Sequence, residues 1–291
     1  MMKQICATVL FLLFIVNENI AQCNSWTQKT DFGGTSRMGA FSFATNGKAY
    51  VGSGLDFACS CHKSDVWEYD PVADTWTQKA DLPAVGRRYA ASFAIGSKGY
   101  VGTGYDGTNS LMDFWVYDPV LNSWTAIADF GGGVRNAGIG FAVNGNGYVG
   151  TGHDGTTRLK DMWEYNVILD FWTQKVDFGG VARNSGVGFS IGNKGYVSTG
   201  YNNSIVTLKD FWEYSPNGDS WTQKTDFGGV ARIAAIAFSI YNKGYIGTGY
   251  GGGTLSDFWE YDTITDSWTQ MANFGAGARK FAFGFSLEGK G

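Results

Sequence analysis

The chain has 291 residues with 43 glycines, 16% aromatic residues, only 16% charged residues and a formal net charge of −4. Abundant glycine and few charges favour many short, tightly turned strands around a large core, and they argue against a helical or disordered chain. The net charge is mildly negative and the sequence has no basic stripe, so it lacks the positive surface by which proteins usually bind nucleic acids.

The N-terminal segment predicts a secretory signal peptide spanning residues 1–21. Lys3 supplies the positive charge, residues 9–16 form an apolar run too short to cross a bilayer, and cleavage is expected after Ala21. We therefore expect a secreted protein, extracellular or periplasmic, without a transmembrane segment. Lipid attachment at Cys23 is an alternative because the residues before it resemble a lipobox, although Gln22 replaces the expected small residue.

Three cysteines remain after the predicted cleavage, namely Cys23, Cys59 and Cys61, which is an odd number for an oxidising compartment. The Cys59-Ser60-Cys61-His62 motif contains possible metal ligands. A four-ligand zinc site usually needs two such groups, and the only other histidine is His153. We predict no metal and no cofactor, and the pairing of the three cysteines stays open.

An internal repeat of about 48 residues runs through the rest of the chain, in the range of repeats that build arrays of small β units. It is marked by two registers of tryptophan. In the second register, a tyrosine follows each tryptophan after two residues, and a tryptophan of the first register lies seven residues beyond that tyrosine. The first register is Trp26, Trp76, Trp124, Trp172, Trp221 and Trp268, and the second is Trp67, Trp115, Trp163, Trp212 and Trp259.

One unit, residues 183–226, predicts four consecutive strands. They lie at 186–191, 196–200, 210–214 and 221–224, with a glycine-rich hairpin turn between the first two. Four antiparallel strands per unit, repeated radially, are typical of a β-propeller blade. A linear solenoid is the competing arrangement, and it is disfavoured because its edges would remain open.

The first strand of each unit has one small and one bulky face. Its third, fifth and seventh residues after the opening arginine are always glycine, alanine or serine, and its sixth is always phenylalanine. Because side chains alternate along a strand, we expect the bulky face of each blade to pack against the small face of its neighbour. The phenylalanines are Phe43, Phe93, Phe141, Phe189, Phe238 and Phe285.

These units resemble kelch repeats. The resemblance rests on the glycine-ended second strand, as in Gly247-Thr248-Gly249, on the Tyr-Asp pair with tryptophan seven residues after the tyrosine, as in Tyr261-Asp262 and Trp268, and on the opening arginine. It implies an all-β, kelch-type β-propeller like those of secreted bacterial proteins. Kelch proteins have many functions, so the resemblance implies no particular activity. Galactose oxidase shares this fold, but its copper ligands cannot be placed on the two histidines here.

The repeat count predicts six blades with an incomplete sixth blade. Complete units open at Arg37, Arg87, Arg135, Arg183 and Arg232, and a sixth opens at Arg279 and reaches Leu287. The chain enters on a lone fourth strand at Trp26, which we expect to complete the sixth blade from the N-terminal side. Residues 22–291 would then be one propeller whose missing strands lie beyond Gly291. Closure with five blades is the alternative, and it would leave the strand at Trp26 or at Arg279 redundant.

The six opening arginines admit two interpretations. They could form a cationic ring for an acidic ligand, or each could hold its own inter-blade loop through an aspartate or loop carbonyls. Six equivalent copies favour the structural role, because a binding or catalytic site rarely needs six. The acid six residues before each arginine is Asp31, Asp81, Asp129, Asp177 or Asp226, and Asn273 replaces it before Arg279.

The loops after the second strands vary between units and are expected on the same face as the arginines. Their matched aromatic and polar residues suit glycan or protein recognition, whereas Asp-Gly pairs are also ordinary turn sequences. The candidate residues are Tyr105, Asp106, His153, Asp154, Tyr201, Asn202 and Tyr250. The sequence therefore predicts a secreted module that binds a glycan or protein partner through the arginine and loop face. The alternative is a carbohydrate-active enzyme such as a sialic acid mutarotase or epimerase, although no catalytic residues stand out.

Overall fold

The computed structural model describes residues 24–291, so the predicted signal peptide and Cys23 lie outside the described residues. Five four-stranded antiparallel sheets form a β-propeller, and each sheet pairs its strands in chain order. The only helix in this part of the chain is one 3-10 turn, Pro216–Gly218. No helix among residues 24–291 combines the length and hydropathy that a bilayer crossing requires.

Each blade contains an inner, a second, a third and an outer strand. Blade 1 consists of Phe41–Thr45, Lys48–Gly52, Val66–Asp70 and Thr75–Lys79; blade 2 of Ala91–Ile95, Lys98–Gly102, Phe114–Asp118 and Ser123–Ile127; blade 3 of Ile139–Val143, Asn146–Gly150, Met162–Asn166 and Phe171–Lys175; blade 4 of Val187–Ile191, Lys194–Ser198, Phe211–Ser215 and Ser220–Lys224; blade 5 of Ile236–Ile240, Lys243–Gly247, Phe258–Asp262 and Ser267–Met271. In blade 4 the four predicted strands lie within two residues of the observed ones.

The spacing between tyrosine and the next tryptophan reflects the turn that joins the third and outer strands. In blade 4 the Tyr214 hydroxyl donates a hydrogen bond of 2.7 Å to the Asp219 carboxylate. Asp219 has a φ of 43°, a left-handed conformation that Asp and Asn tolerate better than most residues. The same carboxylate accepts a bond from the Val176 amide at the end of blade 3. One aspartate therefore shapes the turn and ties neighbouring blades together.

The predicted packing of bulky faces against small faces is confirmed, and its main contact lies on the second strand. The Phe141 ring is buried in blade 3 and covers Gly195 in the second strand of blade 4. A Cβ built at Gly195 would lie only 2.3 Å from Phe141 Cε2. Equivalent contacts join Phe43 to Gly99, Phe93 to Gly147 and Phe189 to Gly244. The repeated glycine therefore allows close approach between adjacent sheets.

A ring of six backbone hydrogen bonds surrounds the central channel where the inner strands begin. Each member has a positive φ and donates its amide to the carbonyl of the preceding member. The bonds are Gly39 to Phe281, Tyr89 to Gly39, Ala137 to Tyr89, Ser185 to Ala137, Ala234 to Ser185 and Phe281 to Ala234, all between 2.8 and 3.1 Å. Five members belong to the complete blades and Phe281 belongs to the segment that follows blade 5. The circle therefore has six positions although only five sheets have four strands.

The N-terminal segment occupies the outer place of the sixth position. Trp26 Nε1 donates to the Ala272 carbonyl at 2.9 Å, as Trp124 Nε1 does to Ala80. The Trp26 ring packs edge-on against Phe258, with 4.8 Å between ring centroids. The strands predicted at Trp26 and before Leu287 do not form β-ladders in the described residues, since neither has a neighbouring strand in the sixth position.

Candidate functional site

The opening arginines of the five complete blades are buried anchors. Arg183 has no exposed surface, and its two terminal nitrogens donate to the Asp210 carboxylate at 2.8 and 2.6 Å. It also donates to the Thr199 carbonyl at 3.0 Å and stacks on the Phe178 ring. The same bidentate pairing joins Arg37 to Asp65, Arg87 to Asp113, Arg135 to Asp161 and Arg232 to Asp257. A ligand cannot reach these guanidinium groups in this conformation.

The inter-blade loop carbonyls do bind the arginines, as in the 3.1 Å bond from Arg183 Nε to the Val181 carbonyl, but the acidic partners predicted for the arginines were wrong. The acids six residues upstream, such as Asp177, do not pair with them, and Asp177 instead lies 3.6 Å from Lys160. The true partner immediately precedes the third strand, two residues before a tryptophan. Antiparallel pairing of the second and third strands brings that aspartate beside the carbonyl that the arginine also binds. Asp210 additionally accepts a bond of 2.8 Å from Trp212 Nε1, so the motif Asp-x-Trp was a visible signal for this pairing.

The buried pairs make stability dependent on pH. Burial alone would raise the pKa of Asp210, but the bonds and positive charge of Arg183 outweigh it and hold the pKa below its ordinary value. The carboxyls of Asp65, Asp113 and Asp257 also have lowered pKa values, with burial opposed by their arginine partners. A carboxyl with a lower pKa in the folded than in the unfolded state stabilises the fold above the unfolded pKa.

We therefore expect the melting temperature to be nearly constant between about pH 7 and 5 and to fall steadily below about pH 4, the ordinary aspartate range. The loss follows because protonation of these carboxyls favours the unfolded chain. Differential scanning calorimetry across this range measures the effect. A melting temperature that stays level down to about pH 2.5 would contradict the contribution of the pairs.

The acidic and amide residues of the variable loops shape their own turns. Asp106 accepts hydrogen bonds from the Thr108 and Asn109 amides, both at 2.7 Å. Asp154 accepts equivalent bonds from Thr156 and Thr157, and Asn202 from Ser204 and Val206. These side chains therefore have a role in turn structure, which was the alternative interpretation of their sequences.

The matched loop aromatics lie against the start of the inner strands. Backbone bridges join Tyr105 to Arg88, His153 to Asn136, and Tyr250 to Ile233, while Tyr201 pairs with Asn184. His153 Nδ1 accepts a bond from the Gly155 amide at 3.0 Å. The loops therefore reach the arginine end of the propeller, beside the ring of backbone bonds that surrounds the channel.

A cationic and aromatic cluster borders the channel mouth at one side, and we call Arg88, Tyr89, Lys280 and Phe281 the mouth cluster. The Arg88 guanidinium lies over both Tyr89 and Tyr105, at 5.1 and 5.4 Å from the ring centroids. The Lys280 ammonium lies 4.7 Å from the Tyr250 centroid, and the Tyr89 and Phe281 rings are 5.3 Å apart. Neither cation has a carboxylate partner among residues 24–291, and Arg88 Nε is buried without a hydrogen-bond partner.

The channel beneath this cluster has a volume of about 220 Å³. Small residues from every inner strand and from the segment 281–284 line it, including Gly140, Gly188 and Ala237. Its walls therefore offer little side-chain chemistry, and charge is supplied at the mouth. The repeat pattern does not single out the mouth cluster, because Arg88 and Lys280 occupy one repeat position that is cationic in only two units.

The Cys59–Cys61 disulfide closes the blade 1 loop, which pairs Leu55–Asp56 with Cys61–His62. Together with Asp56, the sulfur atoms form a compact group, but the disulfide leaves no thiolate to coordinate a metal. His62 faces blade 2, with its ring 6.3 Å from that of Tyr105, and its Nε2 is buried without a partner. Burial, and then the charge of Arg88, lower the His62 pKa.

The described loop of blade 1 also borders an open groove of about 490 Å³ beside the inter-blade segment. Gly33, Thr35, Lys63, Asp81 and Trp67 contribute to its walls. Opposite charges are mixed there, so the groove does not present the uniform positive charge of the mouth cluster.

Comparison with known proteins supports the fold only. No family model and no curated protein matches the chain. A solved structure titled "Structure of YjhT" is similar with a TM-score of 0.76 and 14% sequence identity, and the match covers 90% of each chain. At this identity the likeness shows a shared β-propeller fold, and the resemblance to kelch repeats rests on the sequence motifs.

Proposed function

We propose that this protein is a binding module that holds a carboxylated glycan at the mouth of its channel. The observation that carries the proposal is the pair of cations, Arg88 and Lys280, set on aromatic rings without a carboxylate partner among residues 24–291. Positive charge attracts a carboxylate, and the tyrosine rings offer both an apolar face and a hydroxyl to a sugar. We assign the ligand carboxylate to Arg88, which is half-buried, and Lys280, which is exposed, in place of the predicted ring of arginines.

Three of the predicted loop residues remain candidates for ligand contact. Tyr105 and Tyr250 support the two cations, and His153 lies at the matching position of blade 3. The Cys59–Cys61 disulfide is consistent with the predicted secretion, because disulfides persist in oxidising compartments. The proposed site of action is therefore outside the cytoplasm.

A glycan array that contains acidic sugars and their carboxyl-reduced forms tests the proposal. We expect binding of the acidic forms, and about a ten- to hundredfold loss of affinity for each of Arg88→Gln and Lys280→Gln, since each removes a charge-assisted contact of about 1.5–3 kcal/mol. Added salt should weaken binding because the charges are near solvent.

The matched control is Lys98→Gln, because Lys98 lies at the hairpin end of the second strand, away from the mouth cluster, and pairs with Asp118. This variant should bind like the parent protein. Equal binding of carboxyl-reduced glycans, or equal losses in all three variants, would contradict the proposal. Capture of acidic peptides but no glycan would identify a protein partner, and catalysed interconversion of sialic acid anomers would establish the enzymatic alternative.

A further inference from the structure

A further cation lies at the arginine end of the propeller, on the variable loop of blade 3. The Arg158 guanidinium lies 5.8 Å from the centroid of the Tyr201 ring, and its Nε donates a hydrogen bond of 2.9 Å to the side-chain oxygen of Asn184. Arg158 is half-buried, and no carboxylate among residues 24–291 pairs with it. Like the two cations of the mouth cluster, it is therefore a positive charge that rests on a loop tyrosine.

The three cations occupy every second position around the channel mouth. The residues that precede the six members of the backbone ring mark these positions, and in order they are Met38, Arg88, Asn136, Asn184, Ile233 and Lys280. Arg88 and Lys280 are the second and the sixth, and Arg158 reaches the fourth through its bond to Asn184. The other positions hold neutral residues. Because the ring is closed, positive charge is spread around the whole mouth.

The loop position of Arg158 does not need an arginine for the fold. The backbone of Arg158 bridges that of His153, and the equivalent bridges in blades 2, 4 and 5 are made by Ser110, Thr207 and Thr254. Ser110 also makes a contact of the same kind as Arg158 with the next blade, since its hydroxyl accepts a bond of 2.7 Å from Asn136. A small hydroxyl residue is therefore sufficient here, and in blade 3 the arginine adds length and charge.

The other charged groups of these loops do not neutralise the cations. Asp106 and Asp154 accept hydrogen bonds from amides of their own turns, and neither forms an ion pair with Arg88 or Arg158. The described residues that line the channel below include no charged side chain. The carboxylates of an acidic ligand would therefore be held at the mouth, by cations that lie apart from one another.

We propose that the mouth binds an acidic oligosaccharide through two or more of its carboxylates, and that Arg158 pairs with one of them. This inference rests on the proposed function and narrows it, because cations at alternate positions of the ring cannot all pair with a single carboxylate. A chain of acidic sugars lying across the mouth brings successive carboxylates to Arg88, Arg158 and Lys280, and its rings pack on the supporting tyrosines. Linkage of these contacts in one ligand raises the affinity, since the later contacts form within the complex.

Isothermal titration calorimetry with two series of acidic oligomers, galacturonic acid and sialic acid, each from the monosaccharide to the hexasaccharide, tests the inference. We expect the affinity to rise by about tenfold or more along at least one series, because each additional paired carboxylate adds a charge-assisted contact. Arg158→Ser, which introduces the residue type found in blade 2, should reduce the advantage of the hexasaccharide over the monosaccharide by about tenfold.

Lys160→Gln is the matched control, because it removes one positive charge from the same loop at a residue that pairs with Asp177. This variant should bind every oligomer like the parent protein. No rise in affinity along either series, or equal losses for the hexasaccharide in Arg158→Ser and Lys160→Gln, would overturn the inference. The proposed function fails by a different result, namely acidic glycans of the array that bind no better than their carboxyl-reduced forms. Acidic monosaccharides that bind as tightly as their hexasaccharides would leave the proposed function in place and remove only the inference.

Discussion

The Arg183→Gln substitution should lower the free energy of unfolding by about 3–5 kcal/mol, because it leaves the Asp210 carboxylate charged in a largely desolvated place. The Asp210 carboxylate accepts three side-chain hydrogen bonds, two from Arg183 and one from Trp212. Arg183 also loses its bond to Thr199 and its contact with Phe178 on substitution. Urea denaturation followed by tryptophan fluorescence measures the change.

Lys160→Gln is the control, since Lys160 and Asp177 form a pair whose side chains are both about half exposed. Exposed pairs contribute about 0–1 kcal/mol, so this variant should unfold nearly like the parent. Losses of similar size in the two variants would refute the interpretation of Arg183 as a buried anchor. The Asp210→Asn variant should be destabilised in the same direction as Arg183→Gln, because it leaves the arginine unpaired.

Phe141→Ala should cost about 3–5 kcal/mol of unfolding free energy, the range for a buried aromatic ring replaced by alanine. The ring is 3% exposed, stacks on Tyr148 with 5.4 Å between centroids, and covers Gly195 of the next blade. Its removal leaves a cavity between two sheets that cannot close without moving a whole blade. The same urea experiment measures the loss.

Phe171→Ala provides a control of the same residue type in the same blade, because Phe171 is 60% exposed. This change should stay within about 0.5 kcal/mol of the parent. Gly195→Ala should itself cost about 1–3 kcal/mol through overpacking. In combination with Phe141→Leu its cost should shrink, since the smaller side chain makes room for the new methyl group. Strict additivity of the two changes would show that the residues are not in contact.

The blade architecture follows from local patterns in the sequence. The tryptophan registers, the glycine-containing turns and the alternation of small and bulky residues placed the four strands of blade 4 within two residues of their observed bounds. Hairpin pairing joins segments that are neighbours in the chain, so turn chemistry and side-chain alternation are sufficient to predict it. The packing of phenylalanine against small residues followed from the same alternation.

The residues of the candidate site could not be predicted from local patterns in the same way. A repeat pattern draws attention to residues that recur, and the recurrent arginines are the buried anchors of the fold. The mouth cluster instead contains Arg88 and Lys280, which lie far apart in the chain and whose neighbouring rings, Tyr89 and Phe281, are 5.3 Å apart in the structure. Their aromatic supports, Tyr105 and Tyr250, were recognised from the loops, but the cations that they carry were not.

The sequence by itself determined the strands, their faces and the four-stranded unit that repeats, since each depends on residues within one unit and on the period of the β-strand. The tertiary structure alone decided which aspartate each arginine binds, which glycine receives each phenylalanine, and which cations lack a partner. Those contacts join different strands or different blades, and their specificity depends on three-dimensional proximity that spacing along the chain does not encode.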